Sequence, residues 1–230
     1  MNRNDILKEF ELLADKKWAA DVGHISIINS KKPIIGVRTP DLRRMARKTA
    51  KTDLQGAISA LKSEYFEEDL FYGFLLGYIK DAGKCYNMLV DFLPHIDNWA
   101  VCDQTCASVN VFGKDKENKY FEKFLKLANN SKEFYARVGI IMLLTYYLKP
   151  ECIDKIFDTL IKINNHAYYV DMAVSWLTSV AFVKFEEQTI NLLKSKKLQK
   201  RVQNKAICKI HDSFRVDLQK KEQVKALRIQ

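Results

Sequence analysis

The sequence predicts an all-α fold, a solenoid of stacked helix pairs in one domain over residues 1–230. Three observations carry that prediction. Glycine (8) and proline (4) are scarce, and sheets and long loops need both for turns and bulges. The chain is 47% apolar, enough for a continuous core and too much for disorder. Long amphipathic segments also recur, beginning near residues 65, 98, 131, 166 and 198, at spacings of 33, 33, 35 and 32. A helix pair of that length cannot bury its apolar face alone, so neighbours must stack.

The elements follow in order. Residues 4–22 read as one helix with Ile6, Phe10 and Leu13 on one side, and residues 23–39, with two glycines and Pro33, as the least helical stretch. Thr39-Pro40-Asp41 is a helix start, a capping hydroxyl followed by proline at the first helical position. The helix that follows reaches Lys51, and Thr52 or Asp53 caps another to about Lys62. Beyond it the five long segments alternate with shorter helices over residues 83–92, 116–127, 150–163 and 185–196. Breaks fall at Pro94, Gly113, Asn129-Asn130, Lys149-Pro150 and Asn164-Asn165. The units share no sequence signature, which points away from ankyrin and tetratricopeptide repeats and toward degenerate HEAT-like ones. An irregular helical bundle is the rival, and the long–short alternation through four units favours the solenoid.

The net charge is +10. Residues 194–230 hold twelve Lys/Arg against Asp212, Asp217 and Glu222, a net +9. A second basic cluster comprises Arg38, Arg43, Arg44, Arg47, Lys48 and Lys51. Charge gathered this way suits a polyanion on a concave basic face, although solvated helix faces carry such runs too. The first seventeen residues are polar and acid-bearing, unlike a secretory signal or a transit peptide. The longest apolar stretch, residues 138–148, is too short to span a bilayer. A cytoplasmic monomer with no membrane partner is expected. Cys102 and Cys106 lie one helical turn apart, but no Cys-x-x-Cys pair or His spacing accompanies them. The five cysteines read as buried thiols, with no metal and no cofactor expected. No Gly-rich loop or nucleophile elbow is present, so P-loop, dinucleotide and Ser/His/Asp hydrolase chemistry fit poorly.

Three features on successive long helices stand out. Trp99 and Asp103 stand at i and i+4, on one helix face. Arg137 lies among Phe134, Val138, Ile141 and Met142, and Trp176 follows Asp171 and Val174. Each alone reads more simply as core or as an ion-pair partner. In a solenoid, equivalent helices line one surface, so together they carry more.

In this order and spacing, several segments resemble the AlkD-like, HEAT-like-repeat DNA alkylation repair family. They are Ile35-Gly36-Val37-Arg38-Thr39-Pro40-Asp41-Leu42-Arg43, Asn98-Trp99-Ala100-Val101-Cys102-Asp103, Ser131 to Arg137, Tyr168 to Trp176, and Asn204 to Ile210 with Ser213 and Arg215. The resemblance spans nearly the whole chain. It implies binding of alkylated double-stranded DNA and hydrolysis of the N-glycosidic bond of N3- and N7-alkylated purines. It also implies catalytic roles for Trp99, Trp176 and Asp103 and a phosphate contact for Arg137, and the two basic clusters add Arg38, Arg43, Arg201 and Lys205 as expected nucleic-acid contacts. Active members carry a tyrosine on an N-terminal helix, whereas Trp18 is the one Phe, Tyr or Trp between Asp15 and Gly36 here. The chain therefore looks like the branch that lacks the N-terminal substrate-recognition helix. The alternative is a non-catalytic HEAT-like scaffold that binds nucleic acid or protein.

Overall fold

A computed structural model describes the backbone of all 230 residues and every side chain except those of Val22 and His24. Among the described residues the elements are fifteen α-helices and two short 3-10 turns, and the one β-bridge pairs Ala14 with Val37. The fold is all-α. None of these helices is long and apolar enough to cross a membrane. The chain forms two compact units, Met1–Lys114 and Asp115–Gln230.

The first unit contains α1 (Arg3–Leu13), α2 (Lys16–Ala19), α3 (Val22–Ile28), α4 (Thr39–Thr52), α5 (Leu54–Ala60), α6 (Phe66–Leu76), α7 (Ala82–Phe92) and α8 (Trp99–Ser108). Its centre is α6, which packs against both α4 and α8 and buries Leu70, Phe71, Phe74 and Leu75. A Cβ at Gly73 would collide with Thr105, so the missing side chain sets how closely α8 approaches. The first turn of α6 buries three consecutive acids, Glu67, Glu68 and Asp69. The positive end of a helix dipole favours carboxylates there, and each acid also ties down an earlier segment. Glu67 accepts from the amides of Ile35, Gly36 and Val37. Glu68 accepts from Arg3 Nε at 2.9 Å, and Asp69 pairs with Lys32. Burial pushes the Glu67 and Asp69 carboxyls above their ordinary range despite these donors. Burial also pushes Glu68 up, but Arg3 and the amides of Glu64 and Lys62 outweigh it and hold that carboxyl low.

The second unit contains α9 (Phe121–Ala128), α10 (Glu133–Tyr146), α11 (Ile153–Lys162), α12 (Tyr168–Lys184), α13 (Glu186–Ser195), α14 (Lys200–Asp212) and α15 (Leu218–Lys225). Here α10 packs on α12 and α12 on α14, with α9 behind α10 and α13 behind α12. The flanking helices are two-faced. In α11, Ile153, Ile156, Phe157 and Leu160 are buried while Asp154, Lys155 and Asp158 face water, the 3.6-residue stripe of a helix packed on one side. Covered on more sides, α12 buries ten of its seventeen residues.

The expected rhythm is present. The five helices expected to be long start at residues 66, 99, 133, 168 and 200, spaced 32 to 35 apart. However, α6 and α8, at 11 and 10 residues, are no longer than the 11-residue α7, so the long–short alternation holds only in the second unit. Side chains bridge equivalent points of successive repeats in the second unit. Tyr147 donates to Asp115 at 3.0 Å, Lys149 to Asn118 at 2.9 Å, Lys155 to Glu122 at 2.8 Å, and Asn165 to the Asn130 carbonyl at 3.1 Å.

Four local expectations need correction. The single helix over residues 4–22 is broken at Ala14, which is extended and bridges to Val37, while Asp15 accepts from the Trp18 amide and caps α2. Residues 23–39 are not uniformly irregular, because α3 runs to Ile28. Arg38 rather than Thr39 is the N-cap of α4, and no side chain caps it. Residues 116–120 precede α9 as a turn, since Asp115 takes the amides of Lys119 and Tyr120. Of the two caps expected for α5, Asp53 is the one used, and it accepts from the Gly56 amide.

Candidate functional site

In the first unit the candidate residues sit on α8. Asn98 is fully buried and caps the helix by accepting from the Val101 amide at 3.0 Å. Trp99 and Asp103 follow one turn apart, both half-buried. The indole Nε1 of Trp99 donates to the Ile27 carbonyl near the end of α3 at 2.8 Å. The next residues of the chain hold the same spot, with the Lys31 amide on Asp97 at 2.9 Å and Lys32 Nζ on the His95 carbonyl at 2.8 Å. Residues 27–32 thus clasp the start of the Trp99 helix. The sequence showed no helical pattern there and gave no sign of this contact. A half-buried carboxylate one turn from an indole suits a cationic ligand. The carboxylate supplies opposing charge and the ring a π face.

Arg43 joins this helix, whereas Arg38 does not. Arg43 reaches Gln104 Oε1 at 2.6 Å, and its guanidinium lies over the Phe74 ring at 4.2 Å. Burial lowers the pKa of that guanidinium. Arg38 instead stacks on Trp18 at 5.2 Å. Arg43 and Arg38 therefore each have a partner within the unit.

In the second unit Arg137, Trp176, Arg201 and Lys205 occupy α10, α12 and α14. Arg137 is 6% exposed. Its Nη1 donates to the Tyr169 carbonyl at 2.7 Å, and its guanidinium lies 5.8 Å from the Tyr169 ring centre. Trp176, the one tryptophan of this unit, is 37% exposed. Arg201 is committed to Asp171, whose carboxylate is buried and accepts from both Nε, at 2.8 Å, and Nη2. The same guanidinium donates to the His166 carbonyl at 2.9 Å. Lys205 is exposed. Lys209 is half-buried, and burial lowers its pKa with help from the charges of Lys205 and Arg137. Arg137, Lys205 and Lys209 are thus one positive cluster, in which Lys209 was not singled out from sequence.

Of the five cysteines, Cys85, Cys102, Cys106 and Cys152 are buried and Cys208 is half-buried. Burial pushes the Cys85 thiol up to about 12.

A family model described as DNA alkylation repair enzyme matches residues 6–179. That span covers α8, α10 and nearly all of α12, and stops before α13 and α14. No curated protein and no solved structure matches the chain.

Proposed function

This chain belongs to the DNA alkylation repair enzyme family, and we propose that it excises N3- and N7-alkylated purines from double-stranded DNA by hydrolysing the N-glycosidic bond. The observation that carries this reading is the pairing of Trp99 with Asp103 on α8, inside the matched span. An alkylated purine bears a ring charge that weakens its bond to the sugar. As that bond breaks, its electron pair leaves with the base and neutralises the ring, and the sugar becomes oxocarbenium-like. Water then adds at C1′ and releases a proton. Such a reaction calls for groups that stabilise cations. In this reading Asp103 opposes the growing sugar charge and holds the attacking water. Trp99 and Trp176 offer π faces worth ~0.5–2 kcal/mol each.

Arg137, Arg38, Arg43, Arg201 and Lys205 are assigned to the DNA backbone, where contacts fix position rather than sequence. Their present partners grade them. Lys205 can take a phosphate at once, whereas Arg201 must leave or share Asp171 to do so. The reading also places the chain in the branch without the N-terminal recognition helix. Its support is that no tyrosine lies between Asp15 and Gly36, where Trp18 is the one Phe, Tyr or Trp. One observation favours the second reading, a non-catalytic HEAT-like scaffold. Arg137 is buried against Tyr169, as a structural residue would be. The deciding experiment incubates the protein with duplex DNA containing 7-methylguanine and measures released base, with Asp103→Asn as control. Release by the wild type and not by the variant supports excision, and no release by either supports the scaffold.

A further inference from the structure

A cavity of about 370 Å³ opens between α12 and α14 in the second unit. Its volume lies within the range of about 300–1,000 Å³ usual for small-molecule sites. One wall is apolar, made by Met172 and Tyr168 of α12, the latter 61% exposed, and Cys208 lines the cavity from α14. The opposite character comes from Lys205 and Arg228. Neither has a carboxylate partner among the described residues, and Asp171, the one acid in the lining, is already taken by Arg201. The cavity therefore joins an open aromatic face to two uncompensated cations.

Three side-chain bonds to the backbone on either side of Arg228 hold it at this place. Asn204 grips the backbone of Ile229 from both sides, donating to its carbonyl at 2.8 Å and accepting from its amide at 2.9 Å. The neighbouring Gln203 donates to the Leu227 carbonyl at 2.8 Å. These three bonds fix a non-helical segment of residues 227–229 against α14. A pinned backbone lowers the entropy lost when its side chain closes on a ligand. Most of the cationic side of the cavity lies in residues 201–228, outside the matched span of 6–179.

We propose that this cavity binds one phosphorylated nucleoside, with its base on the Tyr168–Met172 wall and its phosphate between Lys205 and Arg228. A bare anion would leave the apolar wall unused, and an uncharged aromatic would leave two cations desolvated without a partner. The nucleotide can arrive free or as a unit of a nucleic-acid strand, and the two sources are distinguishable.

The test titrates the full-length protein with deoxyadenosine monophosphate, deoxyadenosine, inorganic phosphate and a short single-stranded oligonucleotide. In parallel, mass spectrometry follows the rate at which iodoacetamide labels Cys208, the least buried of the five thiols. The monophosphate should bind and slow Cys208 labelling. Arg228→Gln should weaken it about tenfold, and Arg228→Lys should recover part of the loss. Arg228 is exposed, so neither change threatens the fold. Protection by the oligonucleotide alone, with the same dependence on Arg228, assigns the site to a nucleotide within a strand. Absence of protection by either ligand overturns the proposal. So does protection by phosphate equal to that by the monophosphate, or affinity unchanged in Arg228→Gln. None of these readouts involves base excision, so the site and the glycosylase reading can fail separately.

Discussion

The indole N–H of Trp99 donates to the backbone carbonyl of Ile27 at 2.8 Å, joining α8 to α3 across 72 residues of chain. This bond holds a proposed catalytic ring by its edge and leaves the orientation of its face dependent on α3. Trp99→Phe keeps a ring and deletes the donor. It should lower stability by about 1 kcal/mol, the usual net worth of one hydrogen bond. Amide hydrogen exchange in residues 22–28 should quicken at the same time. Unchanged exchange there would show that α3 is held by other contacts.

The Arg3–Glu68 pair gives a pH-dependent prediction. Glu68 is wholly buried and its carboxyl is held below the ordinary range, the lowering coming from Arg3 and nearby amides against the opposing effect of burial. A depressed acid contributes stability that is present above its unfolded pKa, about 4.3. That contribution is lost as pH falls through the lower folded value. Arg3→Gln should therefore cost about 2 kcal/mol at pH 7, less than a fully buried pair because Arg3 is partly in water. The deficit should shrink as urea unfolding is repeated toward pH 3. A deficit constant with pH would mean that Arg3 acts by packing alone.

Arg201 and Lys205 stand one turn apart on α14 and should behave differently. Arg201→Gln leaves the buried Asp171 carboxylate with His166 Nδ1 at 3.4 Å and without its bidentate partner. A loss of about 2–3 kcal/mol is expected. Lys205→Gln should stay within about 0.5 kcal/mol of wild type. If the chain binds DNA as proposed, Lys205→Gln should also reduce the salt slope by about 1. Thermal melts and a salt titration of the two variants separate folding from affinity, which charge reversal at Arg201 would confuse.

Close packing of α9 on α10 gives a simpler test. A Cβ on Gly139 would collide with the backbone of Leu127 and Ala128, and backbone cannot rotate aside as a side chain can. Gly139→Ala should destabilise the second unit by about 1–3 kcal/mol despite alanine's better helix propensity. A neutral or stabilising result in urea unfolding would place α9 farther from α10.

The repeat was legible in the sequence because it is set by burial, which the spacing of apolar residues records directly. Ile153, Ile156, Phe157 and Leu160 spell out a covered stripe, and the Gly and Asn breaks bound the helices. What the sequence hid depends on distant partners. The break at Ala14 needs Val37 and the Gly36 carbonyl, which accepts from the Asp15 amide at 2.9 Å. The short helix α3 and the Lys31 amide beyond it are clasped to the α8 region by Trp99 and Asp97, far along the chain. Glu67, Glu68 and Asp69 carry no local sign of their burial, and only the fold reveals them as anchors for residues 3, 32 and 35–37. The candidate site divides the same way. The i, i+4 placement of Trp99 and Asp103 follows from helical geometry, whereas the pairing of Arg201 with Asp171 spans 30 residues and had no local sign.

The last prediction separates chemistry from binding through Asp103 and Arg137. Asp103 is proposed to act on charge that exists only as the glycosidic bond breaks, so its loss should appear in the chemical step. Under single-turnover conditions with saturating 7-methylguanine DNA, Asp103→Asn should slow excision about a hundredfold or more. Its melting temperature should fall far less than that rate implies. Arg137 is proposed to hold a phosphate before and during bond breaking alike, which lowers affinity when lost and leaves the saturated rate nearly unchanged. It also satisfies the Tyr169 carbonyl at 2.7 Å from a nearly buried position. Arg137→Ala should therefore lose about 1–3 kcal/mol of stability besides its affinity, and binding must be measured well below its melting temperature. A saturated rate that collapses in Arg137→Ala would move this residue into the chemical step. If the wild type releases no base and Asp103→Asn unfolds the protein, Asp103 is a structural residue of α8 and the scaffold reading replaces excision.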